Sequence, residues 1–205
     1  MTIALIDDDA AVLDSLRMIL TQRGMAVECF TSADAFMARV KSMSVSCVVS
    51  DVRMPGLSGL DLQTELTKAG SKVPLILITG HGDIAMAVGA VKRGAFDFIE
   101  KPFDAQKLAD TIRHAIANGQ ERRAQESEVG AVRERAAELS QRQREVMELV
   151  AQGLSNKEIA RQLGISSRTV ENYRAWVMEK MGAPNLASLV RMVVLLQAEE
   201  TRKRS

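Results

Sequence analysis

The chain has 205 residues, room for one large domain or two small ones, and 46% apolar against 26% charged residues describes a folded globular protein. No uncharged apolar run approaches the roughly 18 residues of a membrane span, and the aspartates of "MTIALIDDDA" argue against a secretory leader, so a cytoplasmic setting with no membrane partner is expected. Net charge is close to zero but uneven: residues 1–119 carry 12 Lys/Arg against 14 Asp/Glu, and residues 120–205 carry 15 against 12, which suggests two parts with different partners.

Five short apolar or β-branched runs occupy 2–6, 25–30, 45–50, 74–79 and 96–99. Between them apolar residues recur at helical spacing, as in Val12, Leu13, Leu16, Ile19 and Leu20, or Leu108, Ile112, Ala115 and Ile116. Alternating β and α segments over 1–118 predict an α/β flavodoxin-like domain: a five-stranded parallel sheet of order 2-1-3-4-5 between two layers of helices. Uninterrupted apolar strands agree with that reading, because a parallel sheet is buried on both faces. Cys29 and Cys47 fall inside such runs and read as small buried hydrophobes of a reducing compartment. His81 and His114 have no partners at ligand spacing, which argues against zinc, and His81 reads as a loop residue.

Residues 119–138, rich in Glu, Arg, Gln and Ala, read as a largely helical, solvated linker extending the preceding helix. Beyond it, 139–205 is all-helical, with four helices predicted at 140–151, 155–163, 166–181 and 185–197. Ser140 with Gln143, and Ser155 with Glu158, have the spacing of capping boxes.

In a sheet of this order, ligands sit beyond the carboxyl ends of strands 1 and 3. Strand 1 ends in "DDDAA" rather than a glycine-rich phosphate cradle, and strand 3 ends in Asp51. The topology is expected to gather Asp7, Asp8 and Asp51 in one crevice, with Asp9 turned to the start of the first helix. Oxygen-only ligands suit Mg²⁺ or another hard divalent cation beside a phosphoryl group. Thr79 and Lys101, at the ends of strands 4 and 5, supply a hydroxyl and an ammonium to the same rim. Asp51, central and at a strand end, is the candidate acceptor of a phosphoryl group as an acyl phosphate.

"IDDDAAV", "VVSDVRMPGLSGLDL", "LILITGHGD" and "AFDFIEKPF" together resemble the receiver domain of two-component response regulators over about residues 1–118. The resemblance implies that a sensor histidine kinase phosphorylates Asp51, that Asp7, Asp8, Asp51 and the backbone carbonyl of Arg53 form a Mg²⁺ (or Mn²⁺) pocket, and that Thr79, Phe98 and Lys101 are the switch residues. It also implies a cis bond between Lys101 and Pro102.

In "SNKEIARQLGISSRTVENYRAWVMEKM", residues 155–181, the apolar positions Ile159, Leu163, Ile165, Val170, Val177 and Met181 describe two helices crossing over a short turn. Opposite Val170 and Val177 lie Arg168, Glu171, Asn172 and Ala175, with Thr169 near the helix start, side chains suited to base edges. Lys157, Arg161, Arg174 and Lys180 are the phosphate candidates. Glu171 either reads a cytosine or points to a solvent edge, and Trp176 is expected to pack at the helix edge rather than stack on bases. The stretch 135–197 resembles the LuxR/NarL-type DNA-binding domain, which adds Ser167 to the DNA contacts and implies double-stranded promoter DNA and RNA polymerase as partners. The usual lysine and histidine of "TVKxH" are Glu171 and Tyr173 here, a departure that bears on base preference rather than fold. The joint pattern is similar to FixJ-type regulators, which implies oxygen- or redox-responsive transcription and a haem-containing sensor kinase.

The expected mechanism is a switch. Phosphorylation of Asp51 draws in Thr79 and Lys101, Phe98 turns inward, and the face of the fourth helix, fifth strand and fifth helix (roughly 84–116) forms a homodimer that binds promoter DNA. The chain is thus expected to accept phosphoryl and slowly lose it rather than to be an enzyme. The enzyme rival, an aspartyl-phosphate phosphatase, needs a second acid two residues after its nucleophile, where Arg53 stands. A binding module that is never phosphorylated is the third reading.

Overall fold

The computed structural model describes residues 1–80 and 84–204. The chain divides into two compact units, Met1–Arg122 and Arg123–Ser205. The first contains β1 (Thr2–Ile6), α1 (Ala10–Gln22), β2 (Ala26–Phe30), α2 (Ala33–Arg39), β3 (Val45–Asp51), α3 (Gly59–Lys68), β4 (Leu75–Thr79), α4 (Ile84–Lys92), β5 (Asp97–Glu100) and the start of α5 (Ala105–Ala137). All four strand pairings are parallel, in the order β2-β1-β3-β4-β5.

Successive side chains of a strand point to opposite faces, and the apolar residues here divide accordingly. Ala4, Ile6, Val48, Leu75 and Leu77 face a core built with Phe36 of α2 and Leu62 and Leu66 of α3. Ile3, Leu5, Cys47, Val49, Ile76 and Ile78 face a second core with Leu13, Leu16 and Leu20 of α1 and Leu108, Ile112 and Ala115 of α5. Cys47 is fully buried and Cys29 half-buried, both as free thiols. Burial pushes the Cys47 thiol up to about 12, consistent with a packing role.

The register sets the functional rim. Ile6 pairs with Ser50, Asp51 with Ile78, and Thr79 with Glu100. Asp7, Asp51, Thr79 and Lys101 therefore all lie at or one residue beyond the same edge of the sheet. Asp9 caps α1, its carboxylate accepting from the Ala11 and Val12 amides. The turn after β3 uses Gly56 at φ +77°, and α3 begins at Gly59, whose N–H donates to the Val52 carbonyl at 3.1 Å. Ser58 and Asp61 cap that helix reciprocally, a box that the sequence reading passed over.

The second unit holds the end of α5 and α6 (Gln141–Ala151), α7 (Asn156–Leu163), α8 (Ser167–Met181) and α9 (Leu186–Arg204). The capping boxes of Ser140 with Gln143 and of Ser155 with Glu158 both form. Gly164 and Gly182 end α7 and α8 in the left-handed region, at φ +66° and +62°. Val146, Ile159, Val170, Val177, Met181, Leu189 and Val193 make the core. Val132 of α5 joins them at 3% exposure, a buried position within the segment 119–138 that was expected to be a solvated helix. Residues 121–128 are exposed along their length. Among the described residues no single helix is long and apolar enough to cross a membrane.

Candidate functional site

At the carboxyl edge of the sheet, one ammonium joins two buried carboxylates. Lys101 Nζ donates to Asp51 Oδ1 at 2.6 Å and to Asp7 Oδ2 at 3.1 Å. The other oxygens accept from backbone: Asp51 Oδ2 from the Arg53 amide at 2.7 Å, and Asp7 Oδ1 from the Asp9 amide at 2.9 Å. Asp7 and Asp51 are buried, while the lysine side chain keeps 34% exposure. Burial acts to lower the Lys101 pKa, but the hydrogen bonds and charges of Asp51 and Asp7 together outweigh it and raise the value. The ion is thus held protonated against the Asp51 carboxylate, a positive charge placed at the edge of the sheet. Thr79 is fully buried, its hydroxyl donating to the Gly80 carbonyl at 3.3 Å, and Phe98 is half-buried against the first core. The Lys101–Pro102 bond is cis.

Asp7 and Asp51 come together, but Asp8 lies exposed, and among the described residues no three His, Cys, Asp or Glu side chains are grouped to hold a metal ion. Lys101 takes the central place instead, relieving the repulsion between the two buried carboxylates. His81 lies outside the described residues.

In the helical unit, Arg168, Glu171, Asn172 and Ala175 are exposed on α8, opposite the buried Val170, Val177 and Met181. Ser167 and Thr169 are half-buried in the first turn, where Ser166 caps the helix. Lys157 and Arg161 are exposed on α7. Arg174 and Lys180 differ, because both are hydrogen-bonded inside the unit. Arg174 Nη1 donates to Asn156 Oδ1 at 3.0 Å, and Lys180 Nζ to the Glu138 carbonyl at 3.0 Å. Trp176, 49% exposed, packs edge-on against Tyr173 with ring centroids 5.5 Å apart.

Comparison with known proteins gives the two units separate matches. Residues 3–113 match the response regulator receiver domain, and 137–193 match the bacterial regulatory proteins of the luxR family. The chain belongs to the two-component response regulators with a LuxR-type DNA-binding domain. It is 49% identical to the transcriptional regulatory protein FixJ of Azorhizobium caulinodans, over 93% of this chain and 90% of that one. To FixJ of Bradyrhizobium diazoefficiens it is 46% identical, with 94% of each covered. The full-length FixJ structure from B. japonicum aligns with TM-score 0.63 at 45% identity, covering 96% of this chain and 97% of that one. The response regulator StyR aligns with TM-score 0.78 at 38% identity, over 94% and 97%.

This is a family of transcription regulators, not of enzymes, and its receiver domains generally bind Mg²⁺ at the phosphorylation site. The donor set of this response regulator fits such a cation. Two carboxylates converge and offer the oxygen ligands that such a cation takes. Sequence reasoning missed Arg135 in the helical unit, which donates to the Met181 carbonyl at a helix end, and a backbone partner has no residue-type signature.

Proposed function

We propose that this response regulator is switched on by phosphorylation of Asp51 from a sensor histidine kinase, and that the switch promotes receiver dimerisation and promoter binding. The observation that carries this reading is the grip of Lys101 on Asp51 beside Asp7 at the edge of the sheet. An acceptor carboxylate is already paired there with the charge that an acyl phosphate requires. Asp8, Asp51 and the Arg53 carbonyl, with Asp7 alongside, would hold Mg²⁺ (or Mn²⁺), which when bound neutralises charge on the incoming phosphoryl group.

The chain's own residues carry the steps. Asp51 attacks phosphorus and the leaving group departs on the opposite side. Lys101 moves from Asp51 Oδ1 to a phosphoryl oxygen, and the Thr79 hydroxyl turns from the Gly80 carbonyl to another. The space vacated by Thr79 admits Phe98, and the face over 84–116 becomes the dimer contact. The aspartyl phosphate is lost slowly by hydrolysis, which resets the switch. A dimer sets two α8 helices on neighbouring half-sites of double-stranded DNA. There Arg168, Glu171 and Asn172 meet bases, Ser167, Thr169, Lys157 and Arg161 meet the backbone, and RNA polymerase is the downstream partner. The functional boundaries follow as a receiver over 1–118, a helical connection over 119–138 and the DNA-binding part over 139–205. Resemblance to FixJ-type regulators supports oxygen- or redox-responsive control, a haem-containing kinase and a cytoplasmic setting.

The test uses acetyl phosphate and Mg²⁺ with intact-mass measurement. One phosphoryl adduct should form on the native chain and none on Asp51→Asn, with dimerisation and DNA affinity rising only in the native chain. Phospho-dependent dimerisation of Asp51→Asn would overturn the scheme.

A further inference from the structure

Helix ends leave carbonyl groups without intrahelical partners, and the aligned peptide dipoles make those ends partly negative. In the helical unit, α5 and α8 serve each other's ends. Arg135, in the last turn of α5, donates from Nη1 to the Met181 carbonyl at the end of α8, at 3.1 Å. Lys180, in the last turn of α8, donates from Nζ to the Glu138 carbonyl just past the end of α5, at 3.0 Å. The same ammonium reaches Gln143 Oε1 at 3.3 Å, and that oxygen also accepts the Ser140 amide at 2.9 Å, starting α6. Gln143 is 8% exposed, while Arg135, Glu138 and Lys180 lie at the surface around it. Gly182 admits the guanidinium: a Cβ there would meet Arg135 Nη1 at 3.3 Å. Val132, one turn before Arg135, and Ala136, next to it, pack into the same core.

We infer that Arg135 and Lys180 are positioning residues for DNA recognition: the reciprocal caps lock the end of α5 to the end of α8, so that the direction of α5 sets the presentation of the recognition helix. This rests on the reading of α8 as the DNA-recognition helix, and it reassigns Lys180 from phosphate contact to latch. Rotating the two helix ends apart breaks both caps and hands their carbonyls and cations back to water. One residue is about 100° of helix turn, so Lys180 stands well round from the Arg168 and Asn172 face. Arg135 precedes the segment matched by the luxR family, which begins at 137. The DNA-binding machinery of this chain therefore starts inside α5, and the helix that leaves the receiver is itself part of the latch.

The test separates a latch from a phosphate contact through salt. The full chain, phosphorylated with acetyl phosphate, is titrated against a duplex that the wild type has enriched from a random-sequence pool, over a series of salt concentrations. A lysine on a phosphate contributes about 0.9 to the slope of log affinity against log salt, whereas a latch residue contributes none. Arg135→Ala and Lys180→Ala are each expected to weaken binding about tenfold, the equivalent of one charged hydrogen bond, with the slope unchanged. The double variant should lose little more than either alone, and Arg135→Lys should recover most of the affinity. Thermal unfolding followed by circular dichroism checks folding. If Arg135→Ala unfolds the helical unit, Arg135→Lys against Lys180→Ala carries the comparison. Wild-type affinity in Arg135→Ala, or a flattened slope in Lys180→Ala, would overturn the inference. Failure of the wild type to enrich any duplex would instead overturn the DNA-binding reading beneath it.

Discussion

Gly59→Ala sets two effects of opposite sign against each other beside Asp51. Replacing glycine by alanine within a helix ordinarily stabilises by up to about 1 kcal/mol, since the backbone loses less entropy on folding. Gly59 has an ordinary negative φ, so no conformational strain opposes the change. Its surroundings do. A Cβ at Gly59 would run into the Asp51 carbonyl oxygen and stand 3.1 Å from Leu77 Cδ2. The leucine end can move, but the Asp51 carbonyl is the backbone of the proposed phosphoacceptor, and Gly59 is tied to that strand through the Val52 carbonyl. Overpacking of this kind costs about 1–3 kcal/mol, so the balance is a net loss of roughly 1–2 kcal/mol and several degrees of Tm for the receiver. Relief of the clash must also displace Asp51 from Lys101, whose contact is 2.6 Å. The assay pairs thermal unfolding with the rate of phosphorylation by acetyl phosphate, and both should fall. Gly130→Ala is the control: it lies within α5 with nothing inside 4 Å of the added Cβ, and should stabilise. A Gly59→Ala chain as stable as wild type, phosphorylated at the wild-type rate, would refute the packing argument.

Two pH effects follow from charged groups in each unit. The Lys101 pKa is raised above its ordinary 10.5 through Asp51 and Asp7, so its stabilising contact is complete below that value and lost as pH rises through the higher folded value. Receiver Tm measured from neutral to strongly alkaline pH should fall more steeply above 10.5 in wild type than in Lys101→Met, and identical profiles would remove the ion pair from the account. In the helical unit, hydrogen bonds from the Ser155 hydroxyl and amide hold the Glu158 carboxyl below its ordinary 4.5. That contribution is present above 4.5 and is lost as pH falls through the lower folded value. Ser155→Ala should therefore lower Tm at neutral pH and lessen the acid-induced drop, and an unaltered acid limb would count against the capping box.

The sheet was legible because a parallel sheet buried on both faces demands uninterrupted apolar strands, and Val48–Val49 and Leu75–Ile78 can be little else. Once strand order is known, Asp7, Asp51 and Lys101 must share an edge, so their convergence was legible as well. The direction of Asp8 was not. Adjacency to Asp7 says nothing of which way a side chain turns once the strand has ended, and Asp8 turned out exposed. Ser140 and Ser155 were legible as caps because the box spans two recognisable side chains three residues apart. Arg135 was not, because its partner is the Met181 carbonyl, an atom every residue possesses. Val132 stands in a segment dominated by Glu and Arg, where a single apolar residue does not make a periodic stripe.

The same distinction changes what the charge count of the helical half means. Fifteen Lys and Arg against twelve Asp and Glu over 120–205 suggested a partner different from that of the first half. Several of those cations are committed to the unit's own frame. Arg142 donates to the Leu163 carbonyl at the end of α7, Arg144 to the Ala137 carbonyl at the end of α5, and Arg174 to Asn156 across the two recognition-motif helices. Together with Arg135 and Lys180, these contacts hold helix ends of the bundle by cations from neighbouring helices. Counterion release on DNA binding depends on cations that reach phosphates, so the gross count overstates the salt-dependent part of affinity. Lys157, Arg161 and Arg168 remain exposed on α7 and α8, and Glu171 and Glu179 are exposed on the same helix as Arg168. Acidic residues so placed are repelled by phosphates in general and tolerated only where the groove offers a donor, such as a cytosine amino group. On the proposed reading of α8 as the recognition helix, selectivity on this face would come from exclusion as much as attraction.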